Sequence, residues 1–216
     1  MKSYNTYLFD LDGTLIDTLD LIVKCFQYNL DRIAGIQVTR DQVLPNVGLP
    51  LREQYRVFLE PLDLSIDYQE VLDAHMDYQI QHWKNYIHEY PGAKDTLRGL
   101  KKRGAKLAIV TSRRQETANL YIQAFGFHNY IDVLCTPDKT LKHKPYPDPA
   151  LWTLDQLDAR PEQALFVGDS LFDVQCGNGA GCDTCYVSWG HRPVSEIAPV
   201  PTYVIDRLEE LLSQTA

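Results

Sequence analysis

Tyr7-Leu8-Phe9-Asp10-Leu11-Asp12-Gly13-Thr14 joins a short apolar run to a turn that carries two carboxylates. Consecutive large apolar residues read as a buried strand, and the Asp and Gly that follow are turn formers. What comes next departs from this pattern. From about residue 17 to about residue 88, Leu19, Ile22, Val23, Phe26 and Leu30 open a stretch with helical spacing. Pro45, Gly48, Pro50, Pro61 and Ser65-Ile66-Asp67 divide it into several helices, and no strand is read within it.

Alternation begins beyond residue 90. Residues 93–103 read as a helix stopped by Gly104, 106–110 as a strand, 115–125 as a helix ended by Gly126, and 131–135 as a strand. Residues 148–157 form a predicted helix, 164–167 a strand, and a helix begins at Ser170. Two short strands, one of them at 184–188, and a helix at 206–213 complete the chain. Strands alternating with helices imply a parallel sheet covered on both faces. The expected fold is therefore α/β: a Rossmann-like core of residues 1–15 and 91–216, with residues 16–90 inserted as an all-helical cap domain. The joints fall near Leu15-Ile16 and Glu89-Tyr90-Pro91-Gly92.

Open parallel sheets bind ligands at the carboxyl ends of their strands, so the residues just beyond each strand carry the chemistry. These are Asp10 and Asp12; Thr111, Ser112 and Arg113; Lys144; and Asp169 and Asp173. Several carboxylates at one edge require a cation, and oxygen-only ligands suit Mg²⁺. Asp10, Asp169 and the carbonyl of Asp12 are the expected ligands, with Asp173 binding directly or holding a water. Lys144 and the Thr111 hydroxyl complement a phosphate, with backbone N–H groups of Leu11, Asp12 and Ser112 as further donors. Asp10 can attack phosphorus while Asp12 carries the proton. Singly, each piece has a plainer reading: Asp-x-Asp-Gly as a turn, Gly-Asp-Ser as a helix cap, Lys-Pro as a solvated loop. Their shared position beyond predicted strands is what favours a site.

Taken in order, these residues resemble the four motifs of the haloacid dehalogenase superfamily, in its phosphatase branch. Asp10-Leu11-Asp12-Gly13-Thr14 is similar to the first motif and Thr111 to the second. Lys144 in Lys144-Pro145-Tyr146-Pro147-Asp148-Pro149 is similar to the third, and Gly168-Asp169-Ser170-Leu171-Phe172-Asp173 to the fourth. The resemblance covers nearly the whole chain and implies an aspartyl-phosphate intermediate, Mg²⁺ and a helical cap after the first strand. Asp12 is the aspartate that carbon–halogen-cleaving members usually lack, and Thr14 leans away from the sugar-phosphate mutases. Leu44-Pro45-Asn46-Val47-Gly48-Leu49-Pro50-Leu51-Arg52 resembles the cap loop of phosphoglycolate phosphatases and related bacterial pyrophosphatases, departing at Asn46 and Leu49. Val187-Ser188-Trp189-Gly190 resembles the same subgroup. Gly48 would let the cap backbone approach the site; Arg52 reads equally as a ligand for a second anionic group of the substrate and as a solvated helix residue, and Arg113 and Arg114 carry the same two readings, with Arg113 nearer the motif. His82 and Trp83 read as packing residues.

Composition narrows the partners. With 216 residues and a net charge of -8, the chain lacks the basic excess that nucleic acid or an anionic membrane requires. A small phosphorylated metabolite is the expected partner, and a monomer and a dimer both remain open. No signal peptide or membrane span is read, and five scattered cysteines suit a reducing cytoplasm. Cys176, Cys182, Cys185 and His191 could offer zinc ligands, but a predicted helix and strand place the cysteines as buried apolar residues. A phosphomutase of the β-phosphoglucomutase type and a non-catalytic phospho-ligand sensor are the competing functions.

Overall fold

The computed structural model describes residues 2–62, 65–190 and 192–213. It divides into two compact units, Met1–Ile16 with Glu89–Ala216, and Asp17–His88.

The first unit is built on a sheet of β1 (Thr6–Phe9), β4 (Lys106–Val110), β5 (Val133–Cys135), β6 (Ala164–Gly168), β7 (Asp183–Val187) and β8 (Tyr203–Ile205), in the order β5-β4-β1-β6-β7-β8. Neighbouring strands run parallel. The helices α5 (Ala93–Lys102), α6 (Gln115–Ala124), α7 (Asp148–Gln156) and α8 (Leu171–Gly179) supply the crossovers. β1 is buried at every position, as a central strand covered on both faces requires. Leu8, Val110 and Phe166 pack with Ala150 and Leu154 of α7 and with Cys135, Cys176 and Cys182. Strand order reverses at β1: the chain builds outward through β4 and β5, then returns to place β6 on the other side. A crevice opens at such a switch point beyond the carboxyl ends of the strands.

The second unit contains α1 (Leu19–Ala34), α2 (Arg40–Val43), α3 (Leu51–Leu59) and α4 (Tyr68–His82). Ile22, Val23, Phe26 and Leu30 of α1 are buried, as their spacing requires, and pack with Tyr55, Leu59 and Val71. Tyr55 Oη and Gln79 Nε2 flank the buried His75 ring at 2.8 and 2.7 Å. The His82 ring lies 4.3 Å from that of Tyr78, tilted to it by 41°, and Trp83 follows in a 3₁₀ turn.

Three sequence expectations are corrected. The stretch read as free of strands is bounded by two short ones, β2 (Ile16–Asp17) at its start and β3 (His88–Glu89) at its end, which form a sheet of their own. Two residues each carry too little pattern for periodicity to register. The strand expected at 131–135 begins only at Val133, because the Asp132 carboxylate turns aside to accept from the Leu107 N–H at 2.9 Å and from Lys101. The segment expected as a helix at 206–213 is a 3₁₀ turn at Leu208–Leu212, whose entry is tied by Glu210 accepting from the N–H groups of Asp206 and Arg207.

Candidate active site

Backbone pairing explains why residues far apart in the chain meet. Phe9 is in register with Ile109 on one side and Val167 on the other. The Asp10 N–H continues the ladder onto the Val167 carbonyl at 2.9 Å. Asp10, Thr111 and Asp169 therefore leave the sheet at one edge. The chain then turns at once: Gly13 N–H donates to Ile16 O at 2.8 Å, with Gly13 at φ 82°. A side chain there would be strained and would overlap the Asp169 carboxylate, so only glycine lets the two motifs approach. Gly168 likewise leaves the space that the Asp173 side chain fills.

At the centre lies Lys144, buried, on the loop between β5 and α7. Its Nζ is 2.8 Å from Asp10 Oδ1, 2.7 Å from Asp173 Oδ1 and 3.2 Å from the Val110 carbonyl. The Lys144-Pro145 peptide is cis. Asp173 is fixed from its other side, where Oδ2 accepts from the Ser170 N–H at 3.0 Å and from its hydroxyl at 2.5 Å. These contacts, with Ser170 Oγ accepting from the Asp173 N–H at 3.3 Å, form the capping box that starts α8. Thr14 donates its hydroxyl to Asp169 Oδ1 at 3.2 Å. The Trp189 indole donates to the Gly13 carbonyl at 3.0 Å and so braces the turn.

One carboxylate oxygen each of Asp10, Asp169 and Asp173 lies within 4.8 Å of the others, and all three residues are buried. Burial pushes the Asp10 pKa well up, against the pull of Lys144 and with the added push of Asp173, Asp169 and Asp12. Burial also acts to lower the Lys144 pKa, but Asp10 and Asp173 overcome it and hold the ammonium above its ordinary range. Three buried carboxylates beside one ammonium are short of positive charge. An all-oxygen set with that deficit fits a hard divalent cation.

Thr111 is buried, and its hydroxyl oxygen accepts from the Arg113 N–H at 3.1 Å, which leaves its hydrogen to donate elsewhere. Ser112 lies half-buried between them. Arg113, a candidate for a substrate anion, has its guanidinium turned onto the Asp12 carboxylate, with Nη2 2.6 Å from Oδ1 and Nε 2.8 Å from Oδ2. Gly48 and Arg52 belong to the helical unit. Gly48 has φ 104° between the bridged Val47 and Leu49, and the Arg52 guanidinium lies 5.2 Å over the Tyr68 ring. The cysteines Cys176, Cys182 and Cys185 are free and buried, and His191 lies outside the described residues. Sequence reasoning missed the Asp12–Arg113 pair, the Trp189 brace and the tie from Ser170 through Asp173 to Lys144. The four-residue Ser170-to-Asp173 cap pattern was the one local signal available for these.

The sequence pattern of the haloacid dehalogenase-like hydrolases matches residues 7–187. The pyrophosphatase PpaX of Bacillus cereus (strain G9842) is 35% identical over 209 residues, covering 96% of this chain and 94% of that protein. A solved structure from Bacteroides fragilis, described as haloacid dehalogenase-like, superposes with a TM-score of 0.88 at 26% identity, covering 97% of this chain and all of that one. A predicted phosphoglycolate phosphatase from Haemophilus somnus 129PT has the same fold, with a TM-score of 0.87 at 23% identity and coverage of 99% and 98%.

Proposed function

The chain belongs to the haloacid dehalogenase-like hydrolase family and is a phosphatase of that family, and from this we propose that it hydrolyses a small phosphate anhydride, with Asp10 as nucleophile and Mg²⁺ as cofactor. Pyrophosphate heads the candidates because the PpaX relative, matched over nearly its whole length, bears that activity in its name. Phosphoglycolate and sugar or nucleoside monophosphates stand behind it. The observation that carries the reading is Lys144 seated between Asp10 and Asp173, beside a third buried carboxylate at the switch point of the sheet.

The chemistry runs in two displacements. An Asp10 oxygen attacks phosphorus as the bond to the leaving oxygen breaks, and Asp12 gives that oxygen a proton. In the second, Asp12 takes a proton from water, the water oxygen attacks phosphorus, and the bond to Asp10 breaks to restore the carboxylate. Lys144 and the Thr111 hydroxyl hold the non-bridging oxygens, with the N–H of Ser112 beside them. Mg²⁺, held by Asp10, Asp169 and the Asp12 carbonyl, would supply the positive charge that lets a phosphate dianion approach a carboxylate. Asp173, with Lys144 on one oxygen and Ser170 on the other, orients Lys144 and would hold the ion directly or through water. Gly48 and Arg52 are carried forward as substrate contacts from the helical unit. Five free, buried cysteines suit a reducing compartment such as the cytoplasm.

Phosphate release from pyrophosphate, phosphoglycolate and representative monophosphates, measured with Mg²⁺ and with chelator, tests the reading. Metal-dependent release that falls to background in Asp10→Asn is expected. Isomerisation of a sugar phosphate without net release would replace it with the mutase, and binding without turnover by folded protein would replace it with the sensor.

A further inference from the structure

Arg113 is built into its place. The side chain is 5% exposed, its guanidinium lies 4.7 Å over the Tyr121 ring, and Nη1 is 3.4 Å from Thr117 Oγ1. Its backbone N–H is tied to Thr111 Oγ1. From this fixed base the fork reaches Asp12: Nε is 3.0 Å from Oδ1 and 2.8 Å from Oδ2, and Nη2 is 2.6 Å from Oδ1. A planar guanidinium that touches both oxygens sets the position and the plane of the carboxylate, which a lysine ammonium cannot do.

We propose that Arg113 is a positioning residue for Asp12: it aims the carboxylate that carries protons to the leaving oxygen and from water, and it is not a ligand for the substrate. The inference rests on the reading of Asp12 as proton carrier. Its physical content is that proton transfer needs the donor within hydrogen-bond reach of one oxygen, and a displacement of about 1 Å costs roughly 10²-fold in rate. The arrangement also links two jobs on one loop. Thr111, which faces the phosphoryl group in the proposed reaction, and Arg113, which faces Asp12, are two residues apart and joined by a hydrogen bond, so the segment that holds phosphate also aims the proton carrier.

A double-mutant cycle on the full chain tests this, using Arg113→Met, Asp12→Asn and the pair, with pyrophosphate as substrate and Mg²⁺ present. Arg113→Met should lower kcat by about 10²-fold while leaving KM within about threefold, and the double variant should fall no further than Asp12→Asn. Arg113→Lys, which keeps the charge but not the planar fork, should recover only part of the loss. Dinitrophenyl phosphate, whose leaving group departs without a proton, keeps the first step measurable in every background. Its burst of phenol release should survive in Arg113→Met, with slow turnover behind it. A raised KM at unchanged kcat, or a loss of equal size in the Asp12→Asn background, would overturn the inference and leave the phosphatase reading standing. A wild-type rate in Asp12→Asn would overturn the role of Asp12 as proton carrier, and the inference with it.

Discussion

Lys144 holds together a site that would otherwise repel itself. Asp10 and Asp173 each place one oxygen against its ammonium, and all three groups are buried. Removing one partner of a buried ion pair exposes the other charges to each other in a medium that solvates them poorly. Lys144→Met should therefore cost about 3–5 kcal/mol in urea unfolding and eliminate turnover. Asp10 gives a second prediction. Burial holds its pKa above the ordinary carboxylate range, so in the metal-free protein its contribution to stability is present in acid and is lost as pH rises through the raised value. A divalent cation competes with that proton and offsets the loss. The rise in Tm on adding Mg²⁺ should accordingly be larger near neutrality than in mild acid, and Asp169→Asn should reduce it at both. A Tm shift that did not depend on pH would count against Asp10 as a ligand.

The helix α8 shows how an ordinary local device can serve a site. Ser170 caps it and Asp173 answers from the third position, which is a common way to satisfy the first N–H groups of a helix. Here the same Asp173 carboxylate presents its other oxygen to Lys144, so the cap sets the direction of the lysine. Ser170→Ala should cost about 1 kcal/mol, the usual worth of such a cap, and should lower kcat as well, read by a melting curve and a rate assay on one preparation. A stability loss with no change in kcat would separate the cap from the chemistry. The short strands β2 and β3 make the opposite point. They stand at the two places where the chain passes between its compact units, and nothing in four residues of sequence announces them.

Across the chain, two cores fold from one sequence in two patterns: apolar runs that fill both faces of a parallel sheet, and a helical stripe centred on Phe26. Cys135, Cys176, Cys182 and Cys185 belong to the packing of the first unit, and Cys25 is buried in α1 of the second. Burial raises the thiols of Cys176, Cys182 and Cys185 from 9.0 to about 12. Thiol reagents at mildly alkaline pH should thus leave these three unmodified in the folded protein and label them once it unfolds. Stability should also decline as pH rises from about 9 toward 12, because the unfolded chain ionises thiols that the folded one keeps neutral. The α/β pattern, the helical stretch after the first strand and the meeting of Asp10, Lys144, Asp169 and Asp173 beyond the strands were legible in the linear sequence. Each rests on a local signal, a strand-length apolar run followed by a turn or a cap, and parallel strands necessarily bring their carboxyl ends to one edge. The partners of those residues were not legible. Arg113 reads equally well as a hand for substrate, and only the fold turns it onto Asp12, 101 residues away. Which side chains meet across such separations depends on strand register, on the depth of Tyr121 beneath the loop and on rotamers chosen by packing. No local propensity encodes these, because they are settled only when distant segments compete for the same buried space.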